Sequence, residues 1–353
     1  MRTPPQDLNR ETQGKLPGSL VPSVCVAVCC LILFSGMPAR TQNNPTSDGR
    51  WAVLVTGISG EPGLQKEYLQ ELVNLRGLLE GPLGFPPSHV IALFDDPKLD
   101  PARIQYQSNR ENLEKVCRDI AGRGGEVDTL FVFLEGHGDA DGKMYRLNLV
   151  GPDPTSVELA AMFYAIPAQR YVIVNATNCS GASLEALAGK GKIIISATRS
   201  GNEKNLTHLG RYFIEALVDN NADVDKNGRV SMFEAYSYAA RKVEERYTKE
   251  GSMQSEHPML SDNGDAQALS LADAGTRSTL LSRSAYLDRG SPLLLQADMS
   301  PEAQALAKEA QSLEKQVEQL KSIKDEIPEA EYEKRLEALL LKLAEVQAKL
   351  RKK

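Results

Sequence analysis

A histidine and a cysteine each follow an apolar run in the middle of this chain. Residues 130–134 are apolar, and this run ends at His137, which lies between two glycines; residues 171–174 form a similar run, which Cys179 follows. Continuous apolar runs are typical of strands inside a parallel sheet, whose catalytic groups gather beyond the carboxyl ends of the strands. An imidazole and a thiol at that edge indicate a nucleophilic thiol with a histidine base.

The order of these motifs resembles that of the caspase and legumain clan of cysteine peptidases. The resemblance spans about residues 51–265 and includes GFPPSHVIALFDD at 84–96 and IIISAT at 193–198. It implies a caspase-like three-layer α/β sandwich with a mostly parallel sheet. It also implies a thiol endopeptidase in which His137 is the base and Cys179 the nucleophile. In that family the backbone N–H groups of Gly138 and Cys179 would hold the oxyanion.

The position of the cysteine departs from the family pattern. In a D-A-C-x-S-G motif the nucleophile stands two residues before the Ser-Gly pair, and here Asn178 occupies that position. A shift of one residue near a strand end can turn a side chain to the opposite face. Two alternatives stay open: a remodelled loop brings Cys179 to His137, or the chain is a catalytically inactive homologue that binds a peptide or partner at the cell envelope.

Other polar residues near the same edge are candidates for orienting the dyad or shaping a pocket. Glu135 either orients His137 or is buried and paired elsewhere. Ser180 either caps the following helix, the interpretation we favour, or is an alternative nucleophile. Arg199 and Glu203 follow the fifth predicted strand, and their opposite charges leave the preferred substrate side chain open.

Residues 223–234 have the spacing of an EF-hand calcium loop, with oxygen-bearing side chains at loop positions 1, 3, 5, 9 and 12 and glycine at position 6. This spacing can supply six or seven oxygens to a hard cation such as Ca²⁺. We expect a structural calcium site between two helices, at residues 211–218 and 232–247. The predicted ligands are Asp223, Asp225, Asn227, the carbonyl of Arg229, Ser231 and Glu234.

The amino-terminal residues indicate export. A basic start precedes an apolar run at residues 20–37, so residues 1–39 are predicted to be a secretory signal or an amino-terminal membrane anchor. Residues 40–49 are predicted to be a polar linker. We therefore expect a periplasmic, secreted or membrane-anchored protein. The net charge of −6 gives no indication of nucleic-acid binding.

Alternating strands and helices must position the candidate residues. Strands are predicted at residues 51–58, 90–94, 130–134, 171–174 and 193–197, with right-handed parallel crossovers between them. Helices are predicted after Gly63, around Cys117 and at residues 157–166. We favour a buried thiol at Cys117 over a disulfide with Cys179. The segment 257–265 resembles the end of bacterial legumain-like peptidase domains, and we expect His257, which has no evident partner, to be structural.

The carboxy-terminal segment has a different pattern. Residues 266–300 are predicted to be a linker, whereas residues 301–353 repeat apolar residues at steps of four and three. That spacing is typical of a coiled-coil seam. Pro328 interrupts the pattern, so we expect a hairpin of two antiparallel helices. Packing within the hairpin or self-association of two chains would bury the seam.

Overall fold

A computed structural model of the chain describes residues 48–123, 127–142, 144–262, 264, 268–275, 279–288, 300, 302, 305, 306, 309, 310, 312, 313, 316, 317, 320 and 327–350. The predicted signal or anchor and nearly all of the predicted linker at 40–49 lie outside these residues. Among the residues described, no helix combines the length and the apolar character needed to span a membrane.

The described part of the chain forms nine strands and eight α-helices. The strands are β1 (Arg50–Thr56), β2 (Val90–Phe94), β3 (Tyr106–Gln107), β4 (Val127–Glu135), β5 (Gly138–Asp141), β6 (Met144–Leu147), β7 (Ala168–Asn175), β8 (Lys192–Ser196) and β9 (Met259–Asp262). The helices are α1 (Pro62–Glu80), α2 (Arg110–Gly122), α3 (Ser156–Tyr164), α4 (Leu184–Leu187), α5 (Leu209–Ala216), α6 (Met232–Glu250), α7 (Leu280–Arg283) and α8 (Glu329–Leu350).

Seven strands form one sheet in the order β3-β2-β1-β4-β7-β8-β9. All neighbouring pairs are parallel except β8 and β9, which are antiparallel. The strands β5 and β6 form a separate antiparallel hairpin. In the central pair, Thr56 at the end of β1 lies beside Glu135 at the end of β4. The segment that contains His137 therefore begins at the middle of the sheet, on the side where the parallel strands have their carboxyl ends.

Helices cover both faces of the sheet. Along β4, Phe131 and Phe133 enter an apolar cluster with side chains of α1, α5 and α6. The alternate residues Leu130 and Val132 enter a second cluster with side chains of α2 and α3. Because successive side chains of a strand point to opposite faces, each apolar strand contributes to both clusters. The fold is thus the three-layer α/β sandwich that the sequence predicts.

The predicted linker after residue 265 partly packs against this domain. Leu269 of this segment pairs with Leu260 of β9, and the Leu287 side chain is only 1% exposed. The Arg50 guanidinium, itself buried, donates hydrogen bonds to the carbonyls of Leu287 at 2.5 Å and Leu83 at 2.9 Å. The domain therefore continues to at least Asp288.

The carboxy-terminal residues form a helical element. The helix α8 begins directly after Pro328, whose carbonyl accepts the N–H of Tyr332 at 3.0 Å. Proline is favoured at such a boundary because it restricts the residue before it and cannot donate a hydrogen bond. One apolar cluster contains residues from both predicted helices: Leu306, Ala310, Leu313, Leu339, Leu343 and Val346.

Candidate functional site

His137 lies at the carboxyl edge of the sheet, one residue beyond the turn that ends β4. Gly136 has φ +106°, a conformation that side-chain-bearing residues rarely adopt. The half-buried imidazole of His137 places Nε2 at 3.3 Å from the carbonyl oxygen of Ser59, and the ring of Tyr68 packs edge-on with centroids 6.4 Å apart. The Ser59 carbonyl after β1 and Tyr68 on α1 therefore set the orientation of the imidazole.

A network of buried polar groups holds the turn that follows β7. The Thr177 hydroxyl donates to Asn175 Oδ1 at 2.8 Å, and the Tyr145 hydroxyl lies 2.7 Å from Thr177 Oγ1. All three side chains have no measurable exposure, so their hydrogen bonds are sheltered from water. The hairpin of β5 and β6 supplies Tyr145. This hairpin therefore fixes the backbone that presents the next two residues, Asn178 and Cys179.

Asn178 occupies the position that the family pattern gives to the nucleophile. Its side-chain Oδ1 accepts the N–H of Gly138 at 2.9 Å, and its Nδ2 donates to the carbonyl of Lys204 at 3.1 Å. A Cβ at Gly138 would lie 2.7 Å from the carbonyl oxygen of Asn178, so only glycine allows this approach. The half-buried amide thus joins the His137 loop to the loop after β8.

The thiol of Cys179 lies in the apolar core. Its residue is 1% exposed and belongs to the cluster on the α2 and α3 face, together with Tyr145. The backbone of Cys179 is left-handed, with φ +59°, which is uncommon for a residue with a side chain. Burial raises the pKa of this thiol, so the nucleophilic thiolate is disfavoured.

These contacts differ from the arrangement predicted for a catalytic dyad. Within the described residues, the His137 ring makes a hydrogen-bond contact with Ser59 and a ring contact with Tyr68, and no hydrogen bond joins it to Cys179. Both predicted oxyanion donors bind internal acceptors: the N–H of Gly138 binds Asn178, and the N–H of Cys179 binds the carbonyl of Glu203 at 2.9 Å. The left-handed turn is the physical reason, since it directs the side chain after Asn178 into the core.

Two neighbouring candidates also have contacts other than the predicted ones. Glu135 is 4% exposed and lies against the carboxyl of Glu71 on α1 rather than the His137 ring. Burial and the nearby Glu71 raise the pKa of Glu135 well above its usual range. Ser180 does not cap the following helix. Its buried hydroxyl accepts the N–H groups of Ala197 and Thr198, at 3.0 and 3.1 Å, and so ties the turn to the end of β8.

The loop after β8 carries a histidine–carboxyl contact that the sequence did not indicate. His257 Nδ1 lies 2.7 Å from Glu203 Oε1, although no partner was predicted for this histidine. The other carboxylate oxygen of Glu203 accepts the N–H groups of Arg199, at 2.9 Å, and His257, at 3.2 Å. Glu203 is thereby held within its own loop, whereas Arg199 is exposed. Of the two predicted pocket residues, Arg199 is the more exposed.

The predicted calcium loop connects α5 to α6. One carboxylate oxygen each from Asp223, Asp225 and Glu234 lies within 4.8 Å of the other two. Burial and the two neighbouring carboxylates raise the pKa of Asp225. Asn227 bonds to both aspartates through its backbone N–H at 3.0 Å, and Gly228 has φ +84° at the predicted sharp turn. Three converging carboxylates with an adjacent amide are hard oxygen donors, so this donor set fits Ca²⁺.

Two residues of that loop also attach it to neighbouring segments through their side chains. The Ser231 hydroxyl donates to Glu234 Oε2 at 2.8 Å and accepts the Glu234 N–H at 3.2 Å, which forms the capping box of α6. The side chain of Arg229 pairs with Asp288 at 2.6 Å and lies over the ring of Tyr286. The loop is thus attached to the segment that ends at Asp288.

The amino-terminal end of α5 is capped by a residue distant in sequence. Glu256 has no measurable exposure, and its carboxyl oxygens accept the N–H groups of His208 and Leu209, each at 2.8 Å. Burial raises the pKa of Glu256 to about 8. Sequence reasoning missed Glu256 because capping signals are local. It missed Tyr145 and Thr177 because their partners come from separate strands.

Comparison with known proteins yields structural similarity alone. No family model matches the chain, and no curated protein sequence does. The chain is similar to the crystal structure of the Drosophila initiator caspase Dronc, with 12% identity, a TM-score of 0.41, and coverage of 65% of this chain and 85% of that chain. It is also similar to a structural-genomics protein from Geobacter sulfurreducens, with 12% identity, a TM-score of 0.39, and coverage of 60% and 92%. Similarity at this level leaves the activity to be argued from the chain's own residues.

Proposed function

We propose that this protein is a caspase-like domain without peptidase activity, which binds a peptide or protein segment at the carboxyl edge of its sheet. One observation carries the proposal. The Asn178 side chain bonds to the Gly138 N–H at 2.9 Å, in the position of the family's nucleophile, while the neighbouring Cys179 is 1% exposed. The carboxyl edge of the sheet therefore carries a histidine at the position of the family's base, and an amide rather than a thiol at the position of its nucleophile.

The chemistry of acyl transfer supports an inactive site. A thiol nucleophile needs a base within hydrogen-bonding reach and a depressed pKa. Cys179 instead has a raised pKa and lies among apolar side chains. An oxyanion needs donors that point to the place where its charge develops. The N–H groups of Gly138 and Cys179 point to acceptors within the protein.

The same edge retains groups that suit peptide binding. The imidazole of His137 and the amide of Asn178 are half-buried, and Lys204 and Arg199 are exposed beside them. An imidazole can donate or accept a hydrogen bond, and the Asn178 oxygen can accept a second one beside that from Gly138, as backbone peptide groups require. Ligands of open α/β sheets bind at this edge. The proposed ligand is therefore an extended peptide segment.

A second candidate function is cysteine endopeptidase activity after a rearrangement of the turn. The left-handed backbone of Cys179, at φ +59°, favours this candidate. Strained residues of this kind cluster at functional sites and switch regions. Asn178 Nδ2 donates to Cys179 Sγ at 3.8 Å, so the two side chains are already in contact at this turn. A change at this turn on substrate binding would have to exchange the two side chains.

Labelling with a thiol-reactive peptide warhead separates these candidates. If the protein is inactive, the warhead does not label Cys179 of the wild type. The variant Asn178→Cys should then become labelled at the new thiol, and this labelling should require His137. The double variant Asn178→Cys, Cys179→Ala confirms which thiol reacts, and His137→Ala in that background is the matched control. Rapid labelling of wild type that is abolished by Cys179→Ala or His137→Ala would establish the peptidase instead.

We further propose that the loop at 223–234 binds a structural Ca²⁺ through Asp223, Asp225, Asn227, the Arg229 carbonyl and Glu234. The converging carboxylates support this assignment. The ion would neutralise charge repulsion within the loop and hold α5 and α6 together.

We also propose that residues 1–39 direct export or anchor the protein to a membrane, and that the carboxy-terminal helical element mediates self-association.

A further inference from the structure

Glu203 connects the loop after β8 to two other parts of the chain. Its side chain is 17% exposed, and Oε1 lies 2.7 Å from Nδ1 of His257. Its backbone carbonyl accepts the N–H of Cys179 at 2.9 Å. The next carbonyl, that of Lys204, accepts a hydrogen bond from Nδ2 of Asn178 at 3.1 Å. The loop is therefore bound both to the segment that contains His257 and to the turn after β7.

The backbones of this loop and this turn are in direct contact. A Cβ at Gly181, two residues after Cys179, would lie 2.2 Å from the carbonyl carbon of Arg199 and equally close to the backbone nitrogen of Ser200. Real side chains do not approach a backbone so closely, so only glycine fits at this position. A change in the backbone of the turn therefore requires that the loop after β8 moves as well.

The turn has a conformation that its surroundings must maintain. Cys179 has φ +59°, and a left-handed backbone is unfavourable for a residue that has a side chain. Such a residue persists where the surrounding structure fixes it. Here the carbonyl of Glu203 fixes the N–H of Cys179, whose side chain is directed into the core. Loss of the contacts with the loop would favour an ordinary backbone conformation, which would turn the thiol away from the core.

The segment that contains His257 holds the loop at two points. At the far end of the loop, the Glu256 carboxyl accepts the N–H groups of His208 and Leu209, each at 2.8 Å. At the near end, His257 contacts Glu203. The carboxyl of Glu256 has no measurable exposure, whereas the His257 side chain is 33% exposed. The contact between Glu203 and His257 is thus the more accessible of the two, and Glu203 is itself the residue that binds the turn.

We propose that Glu203 is a positioning residue of the carboxyl edge, whose contact with His257 holds the loop after β8 against the turn and thereby keeps the Cys179 thiol in the core. Separation of Glu203 from His257 allows the loop to withdraw and the turn to release the thiol. The proposal rests on the proposed function in one respect, since it takes Asn178 as the group that the edge presents to a peptide. It goes beyond that function because it assigns the contact that decides which of the two neighbouring side chains is presented.

Alkylation of the full chain by iodoacetamide, followed by mass spectrometry of the peptides that contain Cys117 and Cys179, tests the proposal. Both residues belong to the same apolar cluster, and Cys117 is 2% and Cys179 1% exposed, so the rate at Cys117 reports unfolding of the whole domain. In Glu203→Ala, the ratio of the rate at Cys179 to the rate at Cys117 should rise about tenfold or more, because a hydrogen bond between an imidazole and a carboxylate is lost.

His257→Ala should raise the same ratio, and the double variant should raise it no further than Glu203→Ala does, since both changes remove one shared contact. Glu244→Ala, at an exposed position of α6, is the matched control and should leave the ratio unchanged. An unchanged ratio in either single variant, or additive effects in the double variant, would overturn the proposal. Iodoacetamide alkylates an accessible thiol without recognising a peptide, so this result is independent of labelling by the peptide warhead, which tests the proposed function.

Discussion

The side-chain oxygen of Asn178 accepts the backbone N–H of Gly138 at 2.9 Å. These residues are 40 positions apart in the chain and come from the loops after adjacent strands, β4 and β7. Gly138 is buried, so its N–H depends on this amide for a partner. The same bond occupies a donor that a peptidase of the resembling family would need. This one hydrogen bond therefore both stabilises the carboxyl edge of the sheet and occupies a donor that catalysis would need.

Asn178→Ala should lower the free energy of unfolding by about 1–3 kcal/mol, because it leaves the buried Gly138 N–H without its acceptor. Chemical denaturation measures this loss, and amide hydrogen exchange at Gly138 should become faster. Asn205→Ala, at an exposed asparagine, is the control and should change neither quantity. Unchanged exchange at Gly138 in Asn178→Ala would show that another acceptor serves this group.

Calcium should raise the melting temperature of the protein, because a ligand that binds only the native state stabilises it. At a calcium concentration of one hundred times Kd the gain is about 2.7 kcal/mol. Asp223→Asn should reduce the thermal shift, since it removes a carboxylate from the cluster of three. Asp219→Asn, outside the loop, should keep the full shift. A melting temperature that is the same in calcium and in chelator would count against the site.

Glu256 should make the protein less stable as the pH rises. The carboxyl has its ordinary pKa of 4.5 in the unfolded chain and a pKa of about 8 in the native state. Between these values the unfolded state has released the proton and the native state retains it. The free energy of unfolding therefore falls with increasing pH, by at most about 1.4 kcal/mol per pH unit.

Denaturation of wild type and Glu256→Gln across pH 4.5 to 8 measures this contribution. The variant should lack the part of the pH dependence that Glu256 causes. The free energy of unfolding of wild type should therefore fall relative to that of Glu256→Gln as the pH rises. Glu250→Gln, an exposed position on α6, corrects for general charge effects. A difference that is constant with pH would contradict the raised pKa.

A chain shortened after Asp288 should keep the α/β domain folded, whereas a chain shortened after Asp265 should be destabilised. The second truncation removes the buried Leu287 and the partner of Arg229, and it takes away one of the carbonyl acceptors of the Arg50 guanidinium. We expect a loss of about 3 kcal/mol or more. Melting curves of both chains check this, and light scattering tests whether loss of the carboxy-terminal helices changes the association state.

The sequence by itself determined five of the seven strands of the main sheet. The apolar run at 90–94 matches β2, and the runs near 130, 171 and 193 lie within β4, β7 and β8. Such runs are predictive because burial on both faces requires apolar side chains throughout. The flanking helices of the loop at 223–234 were also predictable, because turn glycine and capping residues act within a few positions of one another.

The tertiary structure alone decided which side chains meet at the edge. Whether Asn178 or Cys179 faces His137 depends on a left-handed backbone at φ +59°, which no neighbouring residue type signals. The cap of α5 comes from Glu256, 48 residues beyond His208, and the partner of Glu135 comes from α1. Periodicity reports which face of an element is buried. It carries no information about which polar group of a distant segment will meet a given donor or carboxyl, because that choice depends on how the elements pack together.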